Sequence, residues 1–155
     1  MAKKYWLMKA EPEAYSVEQW KKDKVIFWDG VRNYTARNFM RDQMKKGDGM
    51  FFYYSGGKPS GIVAVGEIAR EGYPDFTAFD PKDIHFDPKS DPQKPTWFMV
   101  DVKYGKTCKK IIPLDLLKKV PGLEKMALFR LSRLSVQPVT EAEWKIITRL
   151  IEAQE

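Results

Sequence analysis

Hydrophobic and polar residues alternate along this chain in short runs, most with a strand period and a few with a helical one. Tyr5-Trp6-Leu7-Met8-Lys9-Ala10 reads as a buried strand stopped by Glu11-Pro12. Ser16 opens a short helix, with Gln19 in capping-box position and Val17 and Trp20 as its apolar side. Val25-Ile26-Phe27-Trp28 is an apolar run closed by the turn signal Asp29-Gly30. Residues 33–44 fit a helix capped by Asn33, with Phe39, Met40 and Met44 as a modest stripe. Lys46-Gly47-Asp48-Gly49 is a tight turn.

Met50 to Ser55 is β-prone, and residues 55–61 form a loop. Ile62 to Arg70 alternates as a strand, with Ile62, Ala64, Gly66 and Ile68 on one side and Val63, Val65 and Glu67 on the other. Gly66 marks a bend or a close backbone approach. Residues 73–95, with three Asp-Pro pairs, read as a long ordered loop, and such loops in small domains are usually functional. Thr96 to Tyr104 is the next strand, Leu114 to Lys119 and Leu123 to Leu128 are helical turns, and Leu134 to Gln137 is a last strand closed by Pro138. Thr140 and Glu143 form a capping box before a helix whose Trp144, Ile147 and Ile151 face inward. About five strands interrupted by short helices predict a mixed, barrel-like fold.

Composition narrows the class. The chain has 155 residues, 43% hydrophobic and 31% charged, which is one soluble domain's worth. No apolar run reaches the roughly 20 residues of a membrane span, and the N-terminus carries no signal-peptide pattern. Cys108 is the only cysteine and His85 the only histidine. No internal disulfide, cysteine-rich zinc site or site with two histidines can form, so no metal or cofactor is expected. The cysteine usage fits a reducing, cytoplasmic location. The net charge is +6, with the positive excess in residues 1–50 and 101–155 and a slight acidic excess between. That distribution suggests a face for phosphates, or simply solubility. Aromatics make up 14% of the residues, enough for a core and for base stacking as well.

Phosphate-binding Gly loops, the G-x-S-x-G elbow and the deaminase zinc pattern are all absent. The richest segment is 28–38. Trp28 and Tyr34 offer flat faces, Asn33 and Asn38 can read a base edge, and Arg32 and Arg37 can bind phosphate. The same residues also read as a capped helix with Trp28 in the core and two surface arginines. Lys9 and Glu11 form an acid/base pair or a surface ion pair. Arg130 and Arg133, with Ser132 and Ser135, form a phosphate clamp or an ordinary basic loop.

These motifs resemble the EVE domain family, whose members include the thymocyte nuclear protein group. The resemblance rests on residues 5–9 with Glu11-Pro12, on 28–34 with 36–38, on Phe52-Tyr53 with Ser55, on 61–63, on 73–75 with Asp80-Pro81, and on 133–139. It implies one EVE domain over residues 1–155. The implied fold is α+β: a PUA-like mixed β-barrel of about five to six strands with short helices around it, akin to YTH domains. It implies a non-catalytic module that binds DNA or RNA and holds a modified, cytosine-type base in an aromatic pocket. Trp28 would be a wall, with Tyr54 or Trp97 as the second. Asn33 and Tyr34 would lie at the rim, and Lys9, Glu11, Ser55 and Ser135 around it. Arg32, Arg37, Arg130 and Arg133 would hold the phosphates. The chain is expected to act as a monomer, with nucleic acid as partner and no membrane. Ala10 and Tyr54 stand where the family usually has Ser and His. Through distantly related ASCH-type barrels, the resemblance also implies an alternative: a small hydrolase of modified nucleosides acting through Lys9 and Glu11.

Overall fold

The computed structural model describes residues 3–154. Six strands form one mixed sheet: β1 (Tyr5–Ala10), β2 (Val25–Trp28), β3 (Gly49–Tyr54), β4 (Gly61–Pro74), β5 (Phe98–Pro113) and β6 (Val136–Val139). The order is β2-β5-β4-β3-β1-β6, with β1 and β3 parallel and every other pair antiparallel. The helices are short: α1 (Val17–Asp23), α2 (Tyr34–Asn38), α3 (Leu114–Leu117) and α4 (Ala127–Arg130), with one longer C-terminal helix, α5 (Glu141–Ala153). The fold is α+β, as expected.

Alternation along the strands builds a core on each face of the sheet. Trp6, Met8, Met50 and Phe52 point one way and join Trp20, Trp28, Met40 and Val102. Leu7, Phe51 and Tyr53 point the other way and meet Leu117, Leu128, Ile147 and Ile151 on the helices. Trp144 of α5 stacks on Tyr5 and on Phe51, with ring centroids 4.5 and 4.2 Å apart. The capping box expected at Thr140 is made in full, with Glu143 N–H donating to the Thr140 hydroxyl and Thr140 N–H to the Glu143 carboxylate.

Several elements differ from the pattern-based expectation. At Ser16 only half of the capping box exists, because the Gln19 side chain donates to Asp23 instead. The helix expected over 33–44 is an α-helical turn over 34–38, followed by a π-helical turn (Phe39–Gln43). β4 and β5 run on to residues 74 and 113, and β5 starts after Trp97. Their pairing shifts register at several points, one of them between Ile62 and Ala64. One inserted residue turns every later side chain to the other face. Ile62 therefore packs under the helices while Ala64 and Ile68 pack on the opposite side, though simple alternation put the three together. Pro138 lies inside β6, which an edge strand tolerates. The expectation for Gly66 holds: a Cβ there would run into the Lys103 carbonyl and the Trp20 ring.

The 73–95 segment is ordered by hydrogen bonds. It begins as the end of β4 and a 3-10 turn (Phe76–Phe79). Asp75 is fully buried and organises it. Its carboxylate accepts from Gly30 N–H at 2.9 Å, from Arg32 Nη1 at 3.0 Å and from the N–H and hydroxyl of Thr77. Burial opposes its ionisation, but these donors outweigh that cost and hold the carboxyl below its usual range. Farther on, Trp97 Nε1 donates to Asp87 at 2.7 Å, and Asp87 N–H donates to Ala78 O at 2.9 Å. Among the described residues no helix is long and apolar enough to cross a membrane.

Candidate functional site

A cleft of about 790 Å³ opens beside the edge strand β2. Ile26, Phe27 and Trp28 of that strand line it, with Lys9 and Ala10 at the end of β1. Trp28 is 8% exposed, and its indole packs edge-on against Phe52, centroids 5.3 Å apart. Being on the edge is what leaves β2 open, since β5 pairs with only one side of it.

The polar lining mixes carboxylates with an ammonium, two phenols and an imidazole. Asp23 from α1, Asp29 after β2 and Asp101 from β5 all border the cleft. Tyr15 donates to Asp23 at 2.8 Å and Tyr73 to Asp101 at 2.5 Å. Burial, reinforced by these bonds to carboxylates, raises both phenols well above the usual tyrosine range, so they stay protonated. Burial also raises the Asp29 carboxyl, against the pull of His85. His85 Nδ1 stands 3.2 Å from Asp29 Oδ2 and 3.3 Å from Asp83 Oδ1. The ligand atoms of these three residues lie within 4.8 Å of one another, so the group has the spacing of a cation site; His85 Nδ1 is buried there without a hydrogen bond to either carboxylate. The His85 ring sits on Gly30, where a Cβ would collide with it and where φ is +76°. A glycine is needed there on both counts.

Of the residues selected from the sequence, the cleft brings together Lys9 and Trp28. Lys9 Nζ donates to Ser132 O at 2.7 Å and sits 5.6 Å from the centre of the Tyr53 ring, and burial lowers its pKa. Lys9 N–H donates to Ser135 O, so Ser135 backs the cleft through its backbone. Glu11 lies exposed past the end of β1 and is not a wall of the cleft, so the structure gives the Lys9–Glu11 acid/base pair no shared pocket. Tyr54 accepts from Val17 N–H at 2.7 Å, Ser55 N–H donates to Ala10 O, and neither lines the cleft.

The 28–38 segment divides in two. Asn33 caps α2, its Oδ1 accepting from Ala36 N–H at 3.0 Å, which occupies the acceptor that a base edge would use. Tyr34 is exposed and stacks on Trp97, centroids 5.1 Å apart. This second aromatic group stands apart from the Trp28 cleft, so Trp97 is not its opposite wall. Arg32 and Arg37 are held internally. Arg32 binds Asp75 and the His85 carbonyl, and Arg37 binds Asn38 and the Thr96 carbonyl. Arg130 Nε donates to Lys125 O, and Arg133 is exposed. Sequence reasoning missed Tyr15, Asp23, Asp29, Tyr73, His85 and Asp101. Asp29 and Tyr73 lay inside quoted motifs, and His85 is the one histidine in the chain.

The EVE domain model matches residues 4–150. Thymocyte nuclear protein 1 of Danio rerio is 45% identical over 94% of this chain and 71% of its own length. A hypothetical protein from Leishmania major superposes with a TM-score of 0.95 at 45% identity, covering 99% of this chain and 97% of its own. The human THYN1 protein, solved in complex with DNA containing 5-methylcytosine, superposes with a TM-score of 0.90 at 41% identity, covering 96% and 98%.

Proposed function

The chain belongs to the EVE domain family, and from that premise we propose that it is a nucleic-acid-binding module that takes one base, a 5-methylated cytosine, into the cleft beside Trp28. The observation that carries this reading is the cleft's composition: an indole packed on Phe52 with the Asp29 carboxylate beside it. Its volume, about 790 Å³, falls within the roughly 300–1,000 Å³ of ligand pockets. Stacking on an aromatic wall is worth about 1–3 kcal/mol per base. Cytosine presents an amine donor at position 4, whereas thymine, with the same methyl group, presents a carbonyl. A single carboxylate acceptor facing position 4 favours the first and repels the second. Asp29, beside Trp28, is the residue placed to make that choice. The human relative solved with methylated DNA favours DNA over RNA as the partner.

Phosphate contacts fall to cations other than Arg32 and Arg37. Arg133 is exposed in the turn that Lys9 anchors, and Lys103 is exposed opposite Val25 at the cleft. Titration with DNA and RNA oligonucleotides carrying cytosine, 5-methylcytosine or thymine at one position tests the reading. Tightest binding to the 5-methylcytosine DNA, weakened by salt, is the expected result. Equal affinity for all three bases overturns base recognition, and no binding at low salt overturns nucleic-acid binding altogether.

A further inference from the structure

Ile84 is 93% exposed, the most exposed of the large apolar residues described. A lone exposed aliphatic side chain is common and by itself says little. This one is presented on a stiff support next to the cleft. Lys82 and Asp83 N–H groups donate to Asp80, and His85 and Phe86 N–H groups donate to Asp83, at 2.8–3.0 Å. Arg32 Nη2 holds the His85 carbonyl at 2.6 Å, and the His85 ring is seated on Gly30 while bordering the cleft. Ile84 therefore protrudes between two residues that are fixed to the site. Two more exposed apolar rings stand at the cleft: Phe27, which lines it, and Phe76, packed edge-on against Phe27 at 5.1 Å.

A base in a duplex enters a pocket only by leaving its stack, at a cost of a few kcal/mol. Apolar side chains inserted between base steps offset that cost. We propose that Ile84 is such a wedge: on duplex DNA it enters the stack beside the base that swings into the Trp28 cleft, with Phe27 and Phe76 covering the exposed neighbouring base. This rests on the base-pocket reading above. It predicts a residue needed for duplexes and not for single strands.

The test compares a labelled duplex bearing one central 5-methylcytosine with the modified strand alone, using the whole chain. Ile84→Ser is expected to weaken duplex binding about tenfold, leaving single-strand affinity and melting temperature unchanged. Ile84→Met is expected to restore most of the loss. Unchanged duplex affinity, or an equal loss on both ligands, overturns the wedge, as does a wild-type protein that binds the single strand and never the duplex. The base-pocket reading fails separately, if Trp28→Ala keeps full single-strand affinity.

Discussion

The Arg32 guanidinium donates to the Asp75 carboxylate at 3.0 Å, and that carboxylate is completely shielded from solvent. The pair ties the loop after β2 to the segment after β4. With the bond from Arg32 to the His85 carbonyl, it sets where the acidic wall of the cleft stands. Arg32 thus acts on the site by holding its frame.

Removing Asp75 should cost stability because it leaves Arg32 and the Gly30 and Thr77 N–H groups without their acceptor. We expect Asp75→Ala to lower the unfolding free energy by about 3 kcal/mol, measured by urea denaturation at neutral pH.

Acid should erase the advantage of an ionised Asp75. Its folded pKa lies below the unfolded value of about 3.9, so its contribution is complete above that pH and is lost as pH falls through the lower folded pKa. The stability gap between wild type and Asp75→Asn should therefore be constant near neutrality and shrink below about pH 4. A gap that widens on acidification contradicts this assignment.

Gly30→Ala should displace the His85 loop, since the position has positive φ and its Cβ would collide with the imidazole. We expect a loss of about 1–3 kcal/mol in thermal denaturation, with weaker oligonucleotide binding at temperatures where the variant is folded.

Replacing Trp28 should remove the stacking wall. Trp28→Leu is expected to weaken binding to the modified strand about tenfold or more. Trp28→Phe should recover part of it, with circular dichroism confirming that both variants fold.

Asp29→Asn should blur base choice, because an amide both donates and accepts. The preference for 5-methylcytosine over thymine should fall about tenfold while salt dependence stays as in wild type. Measuring both ligands across a salt series separates the two effects.

Much of the fold was legible because short-range physics writes it. The apolar, β-prone runs at 5–10 and 50–55 and the capping box at Thr140 depend on neighbours a few residues away. The faces of β4 were not legible, because a bulge turns a strand over without changing its pattern of residue types. The site was legible only in part. Trp28 and Lys9 stood out by type and motif. Asp23, Asp101 and His85 did not, because their meaning comes from pairings such as Tyr15 with Asp23 and Tyr73 with Asp101.

Local pattern and motif yield a basic, aromatic-rich α+β chain with strands, caps and turns mostly in place, and a family likeness that puts Trp28 at a pocket. Long-range packing selects the side chains that share that pocket with it. It gave Asn33 to a helix cap and Arg32 and Arg37 to the frame, and it set carboxylates from three separate segments around one cleft. The physical reason is that a buried or half-buried polar group must find a partner, and which partner lies within 3 Å is fixed by long-range packing that local pattern does not encode.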